Sequence, residues 1–341
     1  MPGHPPLAQG WIDQPHQTLA LGDFRLESGE SIRDCRLSYV VHGQIDANAS
    51  NVVLALSAIA STHHRLDFLI GDGLALDPAD VAVVAVDAIG NGLSSSPSNS
   101  AVQPGLAFPP FGIRDMVESQ RALLDHLGIG RVRAVVGASM GGMQALQWGV
   151  SHPQRMERIV AMTPMARTAP WAAAINETSR RCLMSHADWQ QGGAEVWSAW
   201  VPLMQLLSGR TPEQLAAAFA SPADVQAWIG ERVDVWLQQG FAPVDWVYQS
   251  RAYDAHDVGG TPGFGGDTAR GLASITAPTL VLAPSLDLYN PVEAARWAAA
   301  HIPRAMLDQI PSVWGHQAAS AADAAAAEWL NRRIRSFLAG A

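Results

Sequence analysis

The sequence predicts an α/β fold, a doubly wound and mostly parallel sheet that carries a helical insertion. Short apolar runs alternate with segments of helical spacing up to residue 162 and again from residue 278, and such alternation is typical of parallel sheets. Between about residues 164 and 277 the strand pattern disappears while helical spacing continues. We therefore predict a core domain of residues 1–164 and 275–341, and a helical lid of residues 165–274.

Each predicted element follows from a local pattern. Turn residues separate two segments that predict an opening hairpin at residues 24–29 and 35–41. Apolar runs predict buried strands at residues 51–56, 81–86, 132–136, 158–162, 278–283 and 305–310. Helical spacing predicts helices at residues 112–127, 140–152 and 319–338. Seven of the twelve tryptophans lie in the lid, and we expect most of them to be core residues rather than substrate contacts.

The composition excludes several classes of protein. The net charge of −9 disfavours nucleic acid or an anionic membrane as a partner. All 22 basic residues are arginine, which excludes a lysine Schiff base with pyridoxal phosphate and a Gly-Lys-Ser/Thr phosphate loop. Cys35 and Cys182 lack metal-ligand spacing and are typical of thiols in a reducing compartment. Since we find neither a signal peptide nor a long apolar run, we expect a cytoplasmic protein.

The motif Gly-Ala-Ser-Met-Gly at residues 137–141 carries the first sign of chemistry. An apolar strand precedes it and a helical segment follows, which is the context of a nucleophile elbow. The flanking glycines remove Cβ atoms where the turn is tightest, and the helix N-terminus favours developing negative charge. Ser139 is therefore the candidate nucleophile.

A serine hydroxyl needs a base to accept its proton and a carboxylate to orient that base. His316 follows the last predicted strand, and Asp287 follows the strand before it. Both positions lie at carboxyl ends of strands, where doubly wound folds gather their active sites. We predict His316 as the general base and Asp287 as the orienting acid; the alternatives to Asp287 are Asp257, Asp308 and Glu293.

The oxyanion of an acyl-transfer reaction needs two backbone donors. One is predicted to be the N–H of Met140, the residue after the candidate nucleophile. The other is expected from the loop after the strand at residues 51–56, at Ile59 or its neighbour Ala58.

The remaining candidate binding residues have weaker support. His63 and His64 either line the pocket mouth or form a solvated loop pair. Arg65, Arg114 and Arg251 either bind a substrate carboxylate or lie on the surface. No further metal ligands stand at suitable spacing, so we expect neither a metal site nor a cofactor.

These residues resemble the homoserine O-acetyltransferase family of the α/β-hydrolase superfamily. The resemblance lies in Gly-Ala-Ser-Met-Gly-Gly-Met-Gln-Ala-Leu at residues 137–146 and in residues 24–29, 113–116, 253–257 and 315–316. It implies an α/β-hydrolase fold, a Ser139–His316–Asp287 triad and acyl transfer through an acyl-serine. It also implies a homodimer formed through the lids, with acetyl-CoA as a possible acyl donor.

The chain departs from that family in two segments. Residues 90–99 replace the usual Gly-Cys-x-Gly-Ser-Thr-Gly-Pro stretch, and the lid lacks the Thr-Tyr-Arg segment whose arginine holds the substrate carboxylate. We therefore expect a hydrolase acting on a small ester or thioester. The alternatives are an O-acyltransferase and, more distantly, a non-catalytic ligand-binding protein on the same fold.

Overall fold

Continuous apolar segments build the centre of an eight-stranded sheet in the computed structural model, which describes residues 4–340. The strands are β1 (Gln17–Arg25), β2 (Ser31–His42), β3 (Val52–Leu56), β4 (Ala82–Val86), β5 (Ala134–Ala138), β6 (Ile159–Met162), β7 (Thr279–Pro284) and β8 (Ala305–Ile310). They lie in the order β1-β2-β4-β3-β5-β6-β7-β8. β2 is antiparallel to β1 and β4, and the other neighbours are parallel. The predicted fold class is confirmed.

The first, second and fifth strands differ from the prediction, and β2 begins at Ser31 rather than at residue 35. β1 ends at Arg25, and Leu26 donates from its N–H to the carbonyl of Glu30, so residues 26–30 form the turn rather than a strand. Register shifts on both sides of Gly22 interrupt the alternation of β1, which explains why its pattern was weak. β5 begins at Ala134, because Val132 forms only an isolated bridge with Met156.

Helices cover both faces of the sheet and also make up the long chain segment that connects β6 to β7. Those that follow core strands are α1 (Ile113–His126), α2 (Met140–Ser151), α9 (Val292–His301) and α10 (Ala324–Ala339). The segment between β6 and β7 contains α3 (Pro170–Met184), α4 (Ala194–Met204), α5 (Pro212–Ala218), α6 (Pro222–Gln239), α7 (Pro243–Asp254) and α8 (Thr268–Ala273). We call α3–α8 the insertion. The division into core and lid domains stays a prediction.

The hydrophobic core lies on both faces of the sheet, as the alternation of a strand requires. In β3, Val52, Leu54 and Leu56 join the cluster that includes α1, α2 and the insertion, while Val53 and Ala55 join the cluster that includes α10. All five residues are buried. This double burial explains the uninterrupted apolar run in the sequence.

Four tryptophans of the insertion pack against one another. The ring centroids of Trp197, Trp200, Trp236 and Trp246 form contacts of 4.8–5.6 Å, the range of favourable aromatic pairs. By contrast, the Trp171 side chain is exposed. The expectation that most lid tryptophans are core residues holds for this cluster, although some of its members also line a cavity.

A buried carboxylate joins the loop at residues 90–99 to the insertion. Asp245 in the first turn of α7 accepts from the Ser98 backbone N–H at 2.9 Å, and the Ser98 hydroxyl lies 2.5 Å from its other oxygen. Burial raises the pKa of Asp245 to about 7, against the opposing effect of these hydrogen bonds.

We predict that Asp245→Asn stabilises the protein increasingly as the pH rises. The Asp245 carboxyl ionises at its ordinary pKa of 3.8 in the unfolded chain and at about 7 in the folded chain. Between these pH values the folded state holds a proton that the unfolded state has lost, so the stability of the protein decreases as the pH rises. Asparagine stays neutral and keeps both contacts with Ser98, and its advantage above that window is at most about 4 kcal/mol. Urea unfolding at about pH 5.5 and about pH 8.5 measures it.

The matched control is Asp234→Asn, at an exposed position on α6. Its free energy of unfolding should differ from wild type by the same small amount at both pH values. A pH-independent difference for Asp245→Asn as well would contradict the prediction.

Candidate active site

The turn between β5 and α2 holds Ser139 in a backbone conformation that few residues adopt. Its φ is 58° and its ψ is −124°, a strained region that costs a non-glycine residue about 1–3 kcal/mol. Gly137 lies beneath the first turn of α2, and a Cβ atom added there would stand 2.1 Å from the Gly141 carbonyl oxygen. The turn therefore has the strand–serine–helix geometry of a nucleophile elbow.

Neighbouring elements hold this strained turn in place. The Ser139 N–H donates to the Met162 carbonyl at 2.9 Å, at the end of β6, and also contacts Thr163 Oγ1 at 3.1 Å. The Gln144 amide of α2 donates to the Ser57 carbonyl at 2.9 Å, which fixes the helix against the loop after β3. These hydrogen bonds offset the backbone strain.

Three of the predicted residues meet in one hydrogen-bonded line. His316 Nε2 lies 2.8 Å from Ser139 Oγ, and His316 Nδ1 lies 2.8 Å from Asp287 Oδ2. The other carboxylate oxygen accepts from the N–H groups of Tyr289 and Asn290, each at 2.8 Å. Since an ionised carboxylate only accepts, His316 carries its proton on Nδ1 and its Nε2 is left to accept from the serine hydroxyl.

The alternatives to Asp287 are engaged elsewhere. Asp257 accepts from the Gly259 N–H and the Thr268 hydroxyl. Asp308 pairs with Arg333 and Glu293 with Arg296. Among the predicted acids, the structure brings only Asp287 to the imidazole of His316.

The two predicted oxyanion donors, the N–H groups of Met140 and Ile59, have no hydrogen-bond acceptor within residues 4–340. Met140 is the first residue of α2, where the helix supplies no acceptor for its N–H. After β3, the Ala58 N–H donates to Ser61 Oγ at 2.8 Å and the Ala60 N–H donates to Gln249 Oε1 at 3.0 Å. The Ile59 N–H has no such acceptor within residues 4–340, so the geometry favours Ile59 over Ala58.

A cavity of about 370 Å³ opens beside Ser139 and His316, within the size range of small-molecule pockets. Much of its wall consists of apolar side chains from the chain between β6 and β7, namely Trp200, Met204, Trp236, Phe241 and Trp246. Tyr289 also lines the cavity. The loop after β3 contributes Ala58, Ile59 and Arg65, and the N-terminal segment contributes Gln9, Gly10 and Trp11.

The two adjacent histidines do not form a solvated pair, since both are buried. His64 is among the residues that line the cavity and His63 is not, and substrate binding by His63 stays a prediction. His63 Nδ1 contacts both oxygens of Asp87, at 3.1 and 3.3 Å. Although the sequence offered no further metal ligands near this pair, the structure brings His4 and His16 to it.

Of the three candidate arginines, only Arg65 reaches the cavity. Arg114 pairs with Glu27, and Arg251 is exposed and stacks over Tyr248. Arg65 is half-buried, and burial lowers the pKa of its guanidinium to about 10. No carboxylate in the described part of the chain pairs with it.

Sequence reasoning missed a second layer of tyrosines and asparagines behind the triad. The Tyr289 ring meets the His316 ring edge-on at 5.1 Å and stacks on Tyr253. The Tyr253 hydroxyl donates to Asn290 Oδ1 at 2.5 Å, and Asn290 Nδ2 donates to the Thr163 carbonyl at 2.7 Å. Burial raises the pKa of Tyr253 well above its ordinary value, and the neighbouring Tyr289 raises it further. The Tyr253 hydroxyl therefore stays neutral.

Comparison with known proteins identifies the family. The α/β hydrolase fold family matches residues 52–317, and the chain belongs to it. It is 29% identical to the homoserine O-acetyltransferase of Methanococcoides burtonii over 81% of this chain, but spans only 63% of that protein. It is also 29% identical to the ethyl acetate hydrolase of Pseudomonas veronii, over 95% of each chain.

A solved structure supports the same relationship. The acetylester hydrolase of Corynebacterium glutamicum superposes with a TM-score of 0.87 at 26% identity, over 95% of this chain and 96% of that one. The resemblance to homoserine O-acetyltransferases is therefore shared with acetylester hydrolases. In the part of the chain that the structure describes, no helix has both the length and the apolarity needed to span a membrane.

We predict that Gly137→Ala disrupts the elbow. The added methyl group would meet the Gly141 backbone at 2.1 Å, which cannot be relieved by a side-chain movement, so the free energy of unfolding should fall by about 3 kcal/mol or more. Gly130→Ala is the matched control, because nothing lies within 4 Å of its added Cβ. Equal urea midpoints for the two variants would show that the turn is looser than described.

Proposed function

We propose that this protein is a serine-dependent acyl-transfer enzyme that most readily hydrolyses small acyl esters or thioesters. The observation that carries the proposal is the line of 2.8 Å contacts from Ser139 through His316 to Asp287. Ser139 is the proposed nucleophile, His316 the base and Asp287 the group that orients it. The reaction needs no cofactor, and acyl-CoA would enter only as a substrate.

The first half-reaction forms an acyl-serine. As Ser139 Oγ attacks the acyl carbonyl, His316 Nε2 accepts its proton, and the Met140 and Ile59 N–H groups donate to the oxyanion. The intermediate collapses by breaking the bond to the leaving oxygen or sulfur, which takes the proton back from His316. Asp287 stabilises the imidazolium that exists between these two transfers.

The second half-reaction releases the acyl group. His316 accepts a proton from water as the water oxygen attacks the acyl-serine, and it returns that proton to Ser139 Oγ when the ester bond breaks. The apolar insertion wall suits a short hydrocarbon acyl group. The similarity to an ethyl acetate hydrolase over 95% of each chain supports water as the acceptor.

A second candidate, an O-acyltransferase with an amino-acid acceptor, rests on Arg65. Its guanidinium lines the cavity without a carboxylate partner in the described chain, and an arginine fork binds a carboxylate by two parallel hydrogen bonds. Homoserine would present such a carboxylate, and the similarity to homoserine O-acetyltransferases supports this alternative.

We predict that the wild type releases alcohol from ethyl acetate with no added acceptor. Ser139→Ala should lower kcat by about 10³-fold or more, because the base then has no nucleophile to activate. Arg65→Gln should leave this uncharged ester nearly unaffected. Ester hydrolysis is measured by alcohol release, and the same proteins are assayed with acetyl-CoA, with and without L-homoserine.

The outcomes separate the candidates. Thiol release that requires homoserine, yields O-acetylhomoserine and is lost in Arg65→Gln would replace the hydrolase with the transferase. Equal activity of Ser139→Ala would overturn both proposals. The homodimer and the cytoplasmic location stay predictions from the sequence.

A further inference from the structure

Four histidines from two distant segments gather on one side of the cavity. They are His4 and His16 of the N-terminal segment, and His63 and His64 of the short helix that follows β3. We call these four residues the histidine cluster. The ring centroids of His63 and His64 lie 4.1 Å apart, and those of His16 and His63 lie 4.5 Å apart. His4 contacts His64 with its Nε2 atom 3.0 Å from the other Nε2.

Buried carboxylates fix the proton on two of these rings. His64 Nδ1 lies 2.7 Å from Asp67 Oδ2, and His63 Nδ1 lies 3.1 Å from Asp87 Oδ2. Because an ionised carboxylate only accepts, each ring carries its proton on Nδ1 and keeps the lone pair on Nε2. This carboxylate–histidine arrangement is the one that orients imidazole ligands at zinc sites and raises their basicity.

The two Nε2 atoms differ in their surroundings: His64 Nε2 lies within hydrogen-bond distance of His4 Nε2, whereas His63 Nε2 has no partner in the described part of the chain. His63 is 2% exposed, and its Nε2 atom is buried with no hydrogen-bond partner within residues 4–340. A buried polar atom without a partner is costly and calls for a physical reason. One ligand atom from each of His4, His63 and His64 lies within 4.8 Å of the others.

We propose that His4, His63 and His64 bind a zinc ion, with Asp67 and Asp87 as the groups that orient two of its ligands. Zinc accepts imidazole nitrogens at about 2.0–2.1 Å in tetrahedral geometry, which places ligand atoms about 3.4 Å apart. The Nε2 atoms of His4 and His64 already lie 3.0 Å apart, so the closing movement required is at most about 1.4 Å, between these rings and His63. His4 is half-buried on the N-terminal segment and can supply that movement.

The zinc would join the N-terminal segment to the wall of the cavity. Trp11 lines the cavity and stacks on His64 at 4.3 Å, and the Ile12 N–H donates to Asp67 Oδ2 at 2.7 Å. On the other side, the short helix bearing His63 and His64 continues the loop that contains Ile59. The ion would thus hold one wall of the cavity against the loop that provides a proposed oxyanion donor. Binding itself does not depend on the proposed catalytic activity.

The test uses full-length protein without a histidine tag, freed of metal by a chelator and dialysed. Zinc is titrated by calorimetry and bound zinc is measured directly. We expect about one zinc ion per chain, and a higher melting temperature with zinc because the ion binds only the folded chain. Cobalt(II), used as a spectroscopic probe, should give the visible absorption of a tetrahedral complex.

Two ligand variants and one control make the test decisive. His4→Gln and His63→Gln should each weaken zinc binding by about 100-fold or more and abolish the cobalt spectrum. His126→Gln, at an exposed position in the last turn of α1, should bind like the wild type. His4→Gln lies on the N-terminal segment, so its melting temperature in chelator should match the wild type even if His63→Gln folds poorly.

The opposite results would overturn the site. If the wild type binds zinc no more tightly than His4→Gln, or if His126→Gln loses zinc equally, the cluster is a hydrogen-bonded contact and not a metal site. Zinc binding with no tetrahedral cobalt spectrum would also contradict the three-histidine geometry.

Discussion

The strained backbone of Ser139 is the constraint on which the rest of the site depends. At a φ of 58° the chain turns from β5 into α2 within one residue, so the hydroxyl stands at the carboxyl edge of the sheet. That turn is possible only because Gly137 has no Cβ to meet the Gly141 carbonyl. The loops after β3, β7 and β8 end at the same edge and bring Ile59, Asp287 and His316 to the serine.

The sheet and the insertion contribute different parts of the site. The turns and loops that follow the parallel strands bring Ser139, His316 and Asp287 into contacts of 2.8 Å. The insertion supplies the tryptophan wall, and Tyr253 of α7 reaches back to Asn290 beside the acid. Relatives named as homoserine O-acetyltransferase and as ethyl acetate hydrolase both resemble this chain, so the fold alone does not fix the acceptor.

The sequence predicted the fold class and the meeting of Ser139, Asp287 and His316, because each signal is local: an apolar strand followed by a turn. It did not predict the start of β1, whose alternation is broken by register shifts around Gly22. The approach of His4 and His16 to His63 also escaped it, since the path of the N-terminal segment depends on tertiary contacts. For the same reason, only the structure could show that His63 Nδ1 contacts the carboxylate of Asp87.

The proposed mechanism requires that Ser139 become covalently acylated, and a probe that traps a bond to Ser139 tests this requirement. A fluorophosphonate probe is allowed to react with folded protein, and the modified residue is located by mass spectrometry of the peptides. We expect one adduct per chain on the peptide that contains Ser139, and none in Ser139→Ala. Ester turnover by folded wild-type protein with no adduct, or with the adduct on another residue, would contradict it.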